Sequence, residues 1–476
     1  MTSPLWTAEN IIAATAGECA ETDWTVNGIV IDNRAVSPGD LFIAIVGPNN
    51  DGHNYVEAAM EAGAVAAIVS KPVQAVADKI PLVMVEDTQV AMEALGKASR
   101  SRSNAKIIAV TGSVGKTGTK EALAHVLSAQ GKTHWSVGSF NNHWGVPLSL
   151  SRMPIDAEYA IFELGMNHAG ELTPLSQMVK PHVAIVTTVA AAHMEFFESV
   201  EDIARAKAEI FNGLQSSGVA IINADIPYTD LLVAEAKKVS GADVQLFGEN
   251  TSAQIHLDDV TVNPQSSEVS ATIDGHKADF TLPVPGRHWV QNILAVLGAV
   301  KAVGADVDKA IETLKTLNAP SGRGVQIELE TVGGSYRLID ESYNASPIAM
   351  QAAFEVLGNL EIKGQGRRIA VLGDMRELGE DAPEIHRSLA NDLLENGVDM
   401  VYACGPHMRE LYEALPQKMK AAYAASSDEL VESVLGAVRC DDAVLIKGSL
   451  GSRMKVILDA LLDQSKGLGM ASGSEE

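Results

Sequence analysis

Seven consecutive residues, Thr111-Gly112-Ser113-Val114-Gly115-Lys116-Thr117, carry the chemistry most readily named in this chain. Two glycines let backbone N–H groups turn toward an anion, and the N-terminus of a following helix adds partial positive charge. Lys116 is placed to reach the outer phosphates of a nucleotide and the Thr117 hydroxyl to hold Mg2+. The pattern is a short T-G-x-x-G-K-T form of the phosphate loop, with Val110 where the longer pattern has its first glycine. Such a loop needs a strand before it and a helix after it. The apolar run Lys106 to Val110 predicts the strand, and the spacing of Ala122, Leu123, Val126 and Leu127 predicts the helix. Nucleoside triphosphate binding is the expectation.

Glu163 ends a second apolar run, Tyr159 to Phe162. Ligands of open α/β sheets sit at the carboxyl ends of strands, so Glu163 reads either as a ligand of the ion that Thr117 would hold or as a solvated loop acid. His193 follows the run Val183 to Val189 and reads as a metal or phosphate ligand or as a structural histidine. Lys207 lies in the helical pattern Arg205 to Phe211, where spacing alone makes it a surface lysine.

At 476 residues the chain accommodates about three domains of ordinary size. With 46% hydrophobic and 20% charged residues it is neither disordered nor a disulfide scaffold. A net charge of -25 argues against a general nucleic-acid binder, and any anionic substrate must meet local positive charge. Cys19, Cys404 and Cys440 are odd in number and widely scattered, which fits structural thiols in a reducing cytoplasm. The longest apolar run, Val183 to Ala192, contains Thr187 and Thr188, and no membrane span or leader is expected.

Polar Ser99 to Asn104 is a linker candidate after a helical segment, and Leu317 to Gly324 is a second, where Pro320, Gly322 and Gly324 break a helical pattern. Alternating strands and helices predict an α/β fold of three domains: a smaller α/β N-terminal domain at 1–88, a central domain at 89–318 and a Rossmann-like, doubly wound domain at 319–476. The central domain is expected to hold a parallel sheet with helices on both faces, plus a small antiparallel sheet from the alternating runs within 244–284. The tail from Ser465, rich in Gly and Ser, is expected to be disordered.

The order of the motifs adds a resemblance. The phosphate loop, Asn141-Asn142-x-x-Gly145-x-Pro147, Glu163-Leu164-Gly165-Met166, His193, Ala206 to Phe211, Asn292 and Ser321-Gly322-Arg323 together resemble the Mur ligases, the ATP-dependent enzymes that add amino acids in peptidoglycan synthesis. Asp340 to Pro347 and Val371 to Gly379 resemble the members that add D-alanyl-D-alanine to UDP-N-acetylmuramoyl-tripeptide.

The resemblance implies ATP on Gly112 to Thr117, with Asn292 at the adenine, Arg323 at the phosphates, and Asp340 and Tyr343 as nucleotide contacts from the third domain. It implies two Mg2+ ions, one on Thr117 and Glu163 and one on His193 and a carbamylated Lys207. Lys116, Lys207, His193, Glu163 and Arg323 would then be the catalytic set. Asp32, Arg34 and His53 would bind the UDP substrate, and Asn141 and Asn142 its peptide. A monomer that binds neither nucleic acid nor membrane is implied. The chain departs from the family pattern at Asn33, where Ser or Thr is usual, at Trp289, where Asn is usual, and around Lys447 to Met454. Another Mur-type amide ligase, amino-acid-adding or folylpolyglutamate-like, and a phosphate-loop ATPase switch are the alternatives.

Overall fold

The structure, a computed structural model, describes residues 4–76, 78–192 and 194–472. Within them the strands gather mainly into three sheets. Each is built around short apolar runs of the kind that bury both faces under helices.

The first sheet is parallel, in the order Gly28–Val30, Asp40–Ile43, Ala66–Val69, Leu82–Met84. Its core includes Trp6, Ile29, Leu41 and Ile68 and is completed by Ala91, Met92 and Leu95 of the helix Thr88–Arg102. That helix begins where the Asp87 carboxylate accepts the N–H groups of Gln89 and Val90. It absorbs most of the polar stretch expected as a linker, because Arg100 and Arg102 find carbonyl acceptors at Val179, Lys180 and Leu5.

The central sheet has nine strands, and the phosphate-loop strand Lys106–Thr111 lies between Val183–Val186 and Tyr159–Glu163, parallel to both. Alternation sorts its side chains: Ile108 and Val110 pack toward the helices Lys116–Ser128 and Arg287–Ala302, while Ile107 and Ala109 pack toward the opposite layer. Each fully buried Ile or Leu there contributes about 1.5–3 kcal/mol of apolar transfer. The expected antiparallel piece is present but is no separate sheet. Ile255–Val262 pairs in parallel with the neighbouring strand Asp243–Gly248 and antiparallel with Ser267–Ile273, so the hairpins extend the central sheet.

The third sheet runs Val325–Thr331, Gly334–Glu341, Ala443–Lys447, Arg368–Gly373, Met400–Cys404, Lys420–Ala424, parallel except at its first strand. The chain order reverses between Ala443–Lys447 and Arg368–Gly373, the switch point of a doubly wound fold. The tail corrects the expectation of disorder: Lys455–Ser472 is a helix. Ile457, Leu458 and Leu461 enter the core of this domain, and Ser465 Oγ accepts the Glu330 N–H at 2.8 Å. Packing outweighs the poor helix propensity of its glycines. Among the described residues no helix is long and apolar enough to cross a membrane. Cys19, Cys404 and Cys440 are free thiols, and burial pushes the Cys404 thiol up to about 12.

Candidate active site at the phosphate loop

The loop turns as its glycines require. Gly115 takes φ +88° and caps the helix Lys116–Ser128, and a Cβ there would lie 2.5 Å from the Asn292 side-chain oxygen. A Cβ on Gly112 would meet Thr187 Oγ1 at 1.9 Å. Thr187 Oγ1 donates to the Val114 carbonyl at 2.6 Å, and the Ser113 hydroxyl bridges to the Ala190 backbone. Asn223 Nδ2 in turn holds the Thr187 carbonyl at 2.9 Å. Thus the end of the neighbouring strand Val183–Val186 shapes the loop.

Lys116 Nζ donates to the Gly112 carbonyl at 2.7 Å. Burial holds its pKa below that of an ordinary lysine, the Glu163 charge works against that shift, and the Arg323 charge adds to it. The three side chains are therefore within electrostatic reach of one another, although two separate domains supply them.

The strand register sets Val110 opposite Glu163. Glu163 is buried: Oε2 accepts from Thr117 Oγ1 at 2.8 Å and Oε1 from Asn141 Nδ2 at 2.7 Å. The solvated-acid reading is thereby replaced by an aligned carboxylate beside a hydroxyl. Two oxygen donors at the phosphate end of the loop suit a hard cation that takes its remaining ligands from phosphates and water. Among the described residues no cluster of three or more His, Cys, Asp and Glu forms a cage by itself.

Lys207 is 2% exposed, which overturns the surface reading from spacing. It lies on the inward face of the helix Val200–Ala208 with Ile203 and Ala204. It makes no hydrogen bond or ion pair among the described residues, and burial, with the nearby Lys116 charge, holds its pKa well below that of an ordinary lysine. The sequence held a signal for this burial: Ile203, Lys207, Ile210 and Phe211 share one stripe. His193 lies outside the described residues.

The C-terminal domain contributes Arg323, whose guanidinium sits 4.4 Å over the Tyr343 ring, and Tyr343, whose hydroxyl donates to Ser139 Oγ at 2.7 Å. Asp340 accepts the Gly322 N–H at 2.8 Å and the Ser342 N–H and hydroxyl, so both its oxygens hold the turn that presents Arg323. Trp289 wedges between domains: its ring lies 3.2 Å from where a Gly118 Cβ would be, and its Nε1 3.8 Å from that of Gly324.

Other expected contacts divide. Asn141 aligns Glu163, whereas the Asn142 side chain accepts the Trp144 and Gly145 N–H groups and starts the helix Gly145–Ser151. Arg34, 84% exposed, forks onto Asp32 with contacts of 2.7 and 3.0 Å. His53 is buried, donating from Nδ1 to Asp51 at 2.6 Å and accepting the Ser70 N–H at Nε2. These three lie in the N-terminal domain, apart from the phosphate loop in the fold.

Lys120 was not singled out by sequence. It is fully buried and its ammonium donates to the carbonyls of Ser136 and Gly138 at 2.7 and 2.8 Å, fixing the base of the loop that carries Asn141.

Three family models match in succession: the Mur ligase family catalytic domain at 25–107, the Mur ligase middle domain at 110–300 and the Mur ligase glutamate ligase domain at 329–450. The chain belongs to the Mur ligase family. A Rickettsia prowazekii relative named UDP-N-acetylmuramoyl-tripeptide--D-alanyl-D-alanine ligase is 34% identical, over 96% of this chain and 99% of its own. A crystal structure of MurF from Acinetobacter baumannii is 30% identical and superposes with TM-score 0.84, over 96% of this chain and 99% of that one. The MurF ligase of Thermotoga maritima in complex with ADP is 27% identical with TM-score 0.76, over 92% and 98%. In this Mur ligase the phosphate loop opens the matched middle domain, and Arg323 falls in the interval between the second and third matches.

Proposed function

We propose that the chain is an ATP-dependent carbon–nitrogen ligase that joins D-alanyl-D-alanine to the terminal carboxylate of UDP-N-acetylmuramoyl-tripeptide, giving the pentapeptide precursor of peptidoglycan. One observation carries the reading: Thr117, Glu163 and Lys116 of the central domain meet Arg323 and Tyr343 of the C-terminal domain around a single phosphate loop. Relatives bearing that activity in their names run the length of the chain.

A carboxylate resists an amine because it is anionic and its oxygen leaves poorly. The substrate carboxylate therefore attacks the γ-phosphorus of ATP, the bond to the bridging oxygen breaks, and ADP departs. The dipeptide amine then adds to the acyl phosphate carbonyl, phosphate leaves, and the amine proton passes to solvent. No protein nucleophile is needed. The backbone of Gly112 to Thr117 cradles the phosphates, with Asn292 against the loop toward the adenine. Lys116 and Arg323 offset the negative charge that gathers on the transferred phosphoryl group. Thr117 and Glu163 would hold one Mg2+, and His193 with a carbamylated Lys207 a second; these ions would supply further neutralisation at the phosphates. The lowered pKa of the buried Lys207 amine, which has no partner among the described residues, supports that modification, since the neutral amine is the form that attacks CO2. Asp32, Arg34 and His53 would hold the UDP end of the substrate. The enzyme would work in the cytoplasm as a monomer.

Purified protein with UDP-N-acetylmuramoyl-tripeptide, ATP and Mg2+ is expected to release phosphate only when D-alanyl-D-alanine is added. Equal turnover with single amino acids, with a folate substrate, or with no acceptor would assign the site to a different ligase or to an ATPase.

A further inference from the structure

Hydrogen bonds through Ser139 and Asn141 link the C-terminal domain to the carboxylate of Glu163. Tyr343 Oη donates to Ser139 Oγ at 2.7 Å, the Ser139 carbonyl accepts the Asn141 N–H at 2.8 Å, Asn141 Nδ2 donates to Glu163 Oε1 at 2.7 Å, and Glu163 Oε2 accepts from Thr117 at 2.8 Å. The segment that carries Ser139 is pinned after it by the Asn141 carbonyl, which accepts the Gly165 N–H at 2.8 Å, but is sparsely held between Val137 and Phe140. Val137 and Phe140 on either side are 62% and 39% exposed, Gly138 takes φ +56° with open space about it, and the buried Lys120 secures only the carbonyls up to Gly138. Few buried contacts and an exposed apolar tip mark a segment of low local stability. Beyond Gly138, the Ser139 hydroxyl is the side-chain anchor, and among the described residues its partner is Tyr343.

We propose that the Tyr343 hydroxyl is a positioning group which, through Ser139, makes the alignment of Glu163 depend on the C-terminal domain being seated over the phosphate loop. The inference rests on the ligase reading above and deepens it. The same side chain supports Arg323 with its ring, so one residue addresses the arginine at the phosphates with its face and the carboxylate with its edge. Without the seated domain, Asn141 keeps its backbone bond to Gly165 but loses the tether on its Ser139 side, and the hold of its amide on Glu163 loosens. Phosphoryl transfer is then confined to the assembled site, where the acyl phosphate is shielded from water.

Tyr343→Phe removes the hydroxyl and keeps the ring beneath Arg323, and Ser139→Ala removes the acceptor from the other side. In the full chain with all three substrates, each is expected to lower kcat about 3- to 10-fold, the range of one hydrogen bond, while KM for ATP stays within about twofold. The Mg2+ concentration giving half-maximal rate rises in both variants, and Ser139→Thr, which retains the hydroxyl, restores wild-type behaviour. Because both changes cut one link, the double variant is expected to be no slower than the slower single variant. Unchanged melting temperatures exclude a general loss of folding. Wild-type kcat in either single variant, or losses that multiply in the double, overturns the proposal while leaving the ligase reading intact. Absence of acceptor-dependent phosphate release from the wild-type enzyme overturns the ligase reading itself.

Discussion

Two buried lysines, one at a strand end of the C-terminal sheet and one on a helix beside the central sheet, have opposite surroundings. Lys447 ends the strand Ala443–Lys447 of the C-terminal sheet, 1% exposed, with its ammonium donating to Glu341 at 2.9 Å and to the Asn344 carbonyl at 3.1 Å. Lys207, 2% exposed beside the central sheet, has no such partner among the described residues and a pKa well below the usual lysine value. A buried charge is tolerated when it is paired and hydrogen-bonded; a buried amine without a partner gives up its proton. Lys447 therefore ties the fold together, while burial favours the uncharged form of Lys207.

The contrast is broken or sharpened by substitution, beginning outside the pair. Lys116→Ala should remove a cation that acts on the transferred phosphoryl group and lower the rate of phosphate release on the order of 100- to 1000-fold, with melting temperature nearly unchanged. If Lys207 carries the proposed carbamate, Lys207→Ala should also reduce turnover severely, and short carboxylic acids in the assay should restore part of it by standing in for the carbamate oxygens. Failure of every such acid would remove the carbamate from the scheme. Lys447→Met should respond to no added acid and should instead lower unfolding free energy by roughly 3 kcal/mol, because Glu341 is left without its counter-charge. Urea unfolding checks it. If Lys447→Met were as stable as wild type, the pairing would not be what retains that lysine.

The smallest effect concerns acid. His182 Nδ1 accepts the Ile107 N–H at 2.9 Å at the start of the phosphate-loop strand, and burial, with the charges of Arg100 and Lys106, lowers its pKa from 6.5 to about 4. The folded chain takes up this proton less readily than the unfolded chain, so stability falls as pH drops from about 6.5 toward 4. His182→Gln keeps an acceptor without titrating and should flatten that part of a urea-midpoint profile. An unchanged slope would assign the acid sensitivity to other groups.

How far the sequence foretold the site depends on distance along the chain. Gly112, Gly115, Lys116 and Thr117 are adjacent because one loop must present N–H groups, an ammonium and a hydroxyl to one phosphate chain, so their chemistry shows in seven residues. Glu163 was legible as a strand end, since strand and terminus were both marked by the apolar run. Lys207 was legible only in part: its place in the stripe of Ile203, Ile210 and Phe211 marks an inward face, but a lone lysine there does not say what its amine meets. The partnership of Tyr343 with Ser139, 204 residues apart, leaves no trace in either neighbourhood. The fold behaves alike. Alternating strands and helices announced the doubly wound domain, whereas the pairing of Asp243–Gly248 with Ile255–Val262, which merges the antiparallel hairpins into the central sheet, is a matter of tertiary register. The terminal helix escaped notice because its glycines speak against helix while Leu461, which decides the matter, does so only once a core exists to receive it.

The helix Thr88–Arg102 has a mechanical consequence. It lies in the first domain's core and packs on the central-domain helix Gly145–Ser151, whose Leu148 joins that same core; Trp6 and Ile29 also bond across to Ser151 and Arg152. The last domain is attached instead through the segment Leu317 to Gly324, with left-handed glycines at 322 and 324 and a few hydrogen bonds across the cleft. A chain of three parts is thus packed as two: the first and central domains share one core, and the segment Leu317 to Gly324, which carries Arg323, is the only covalent bridge from that pair to the third.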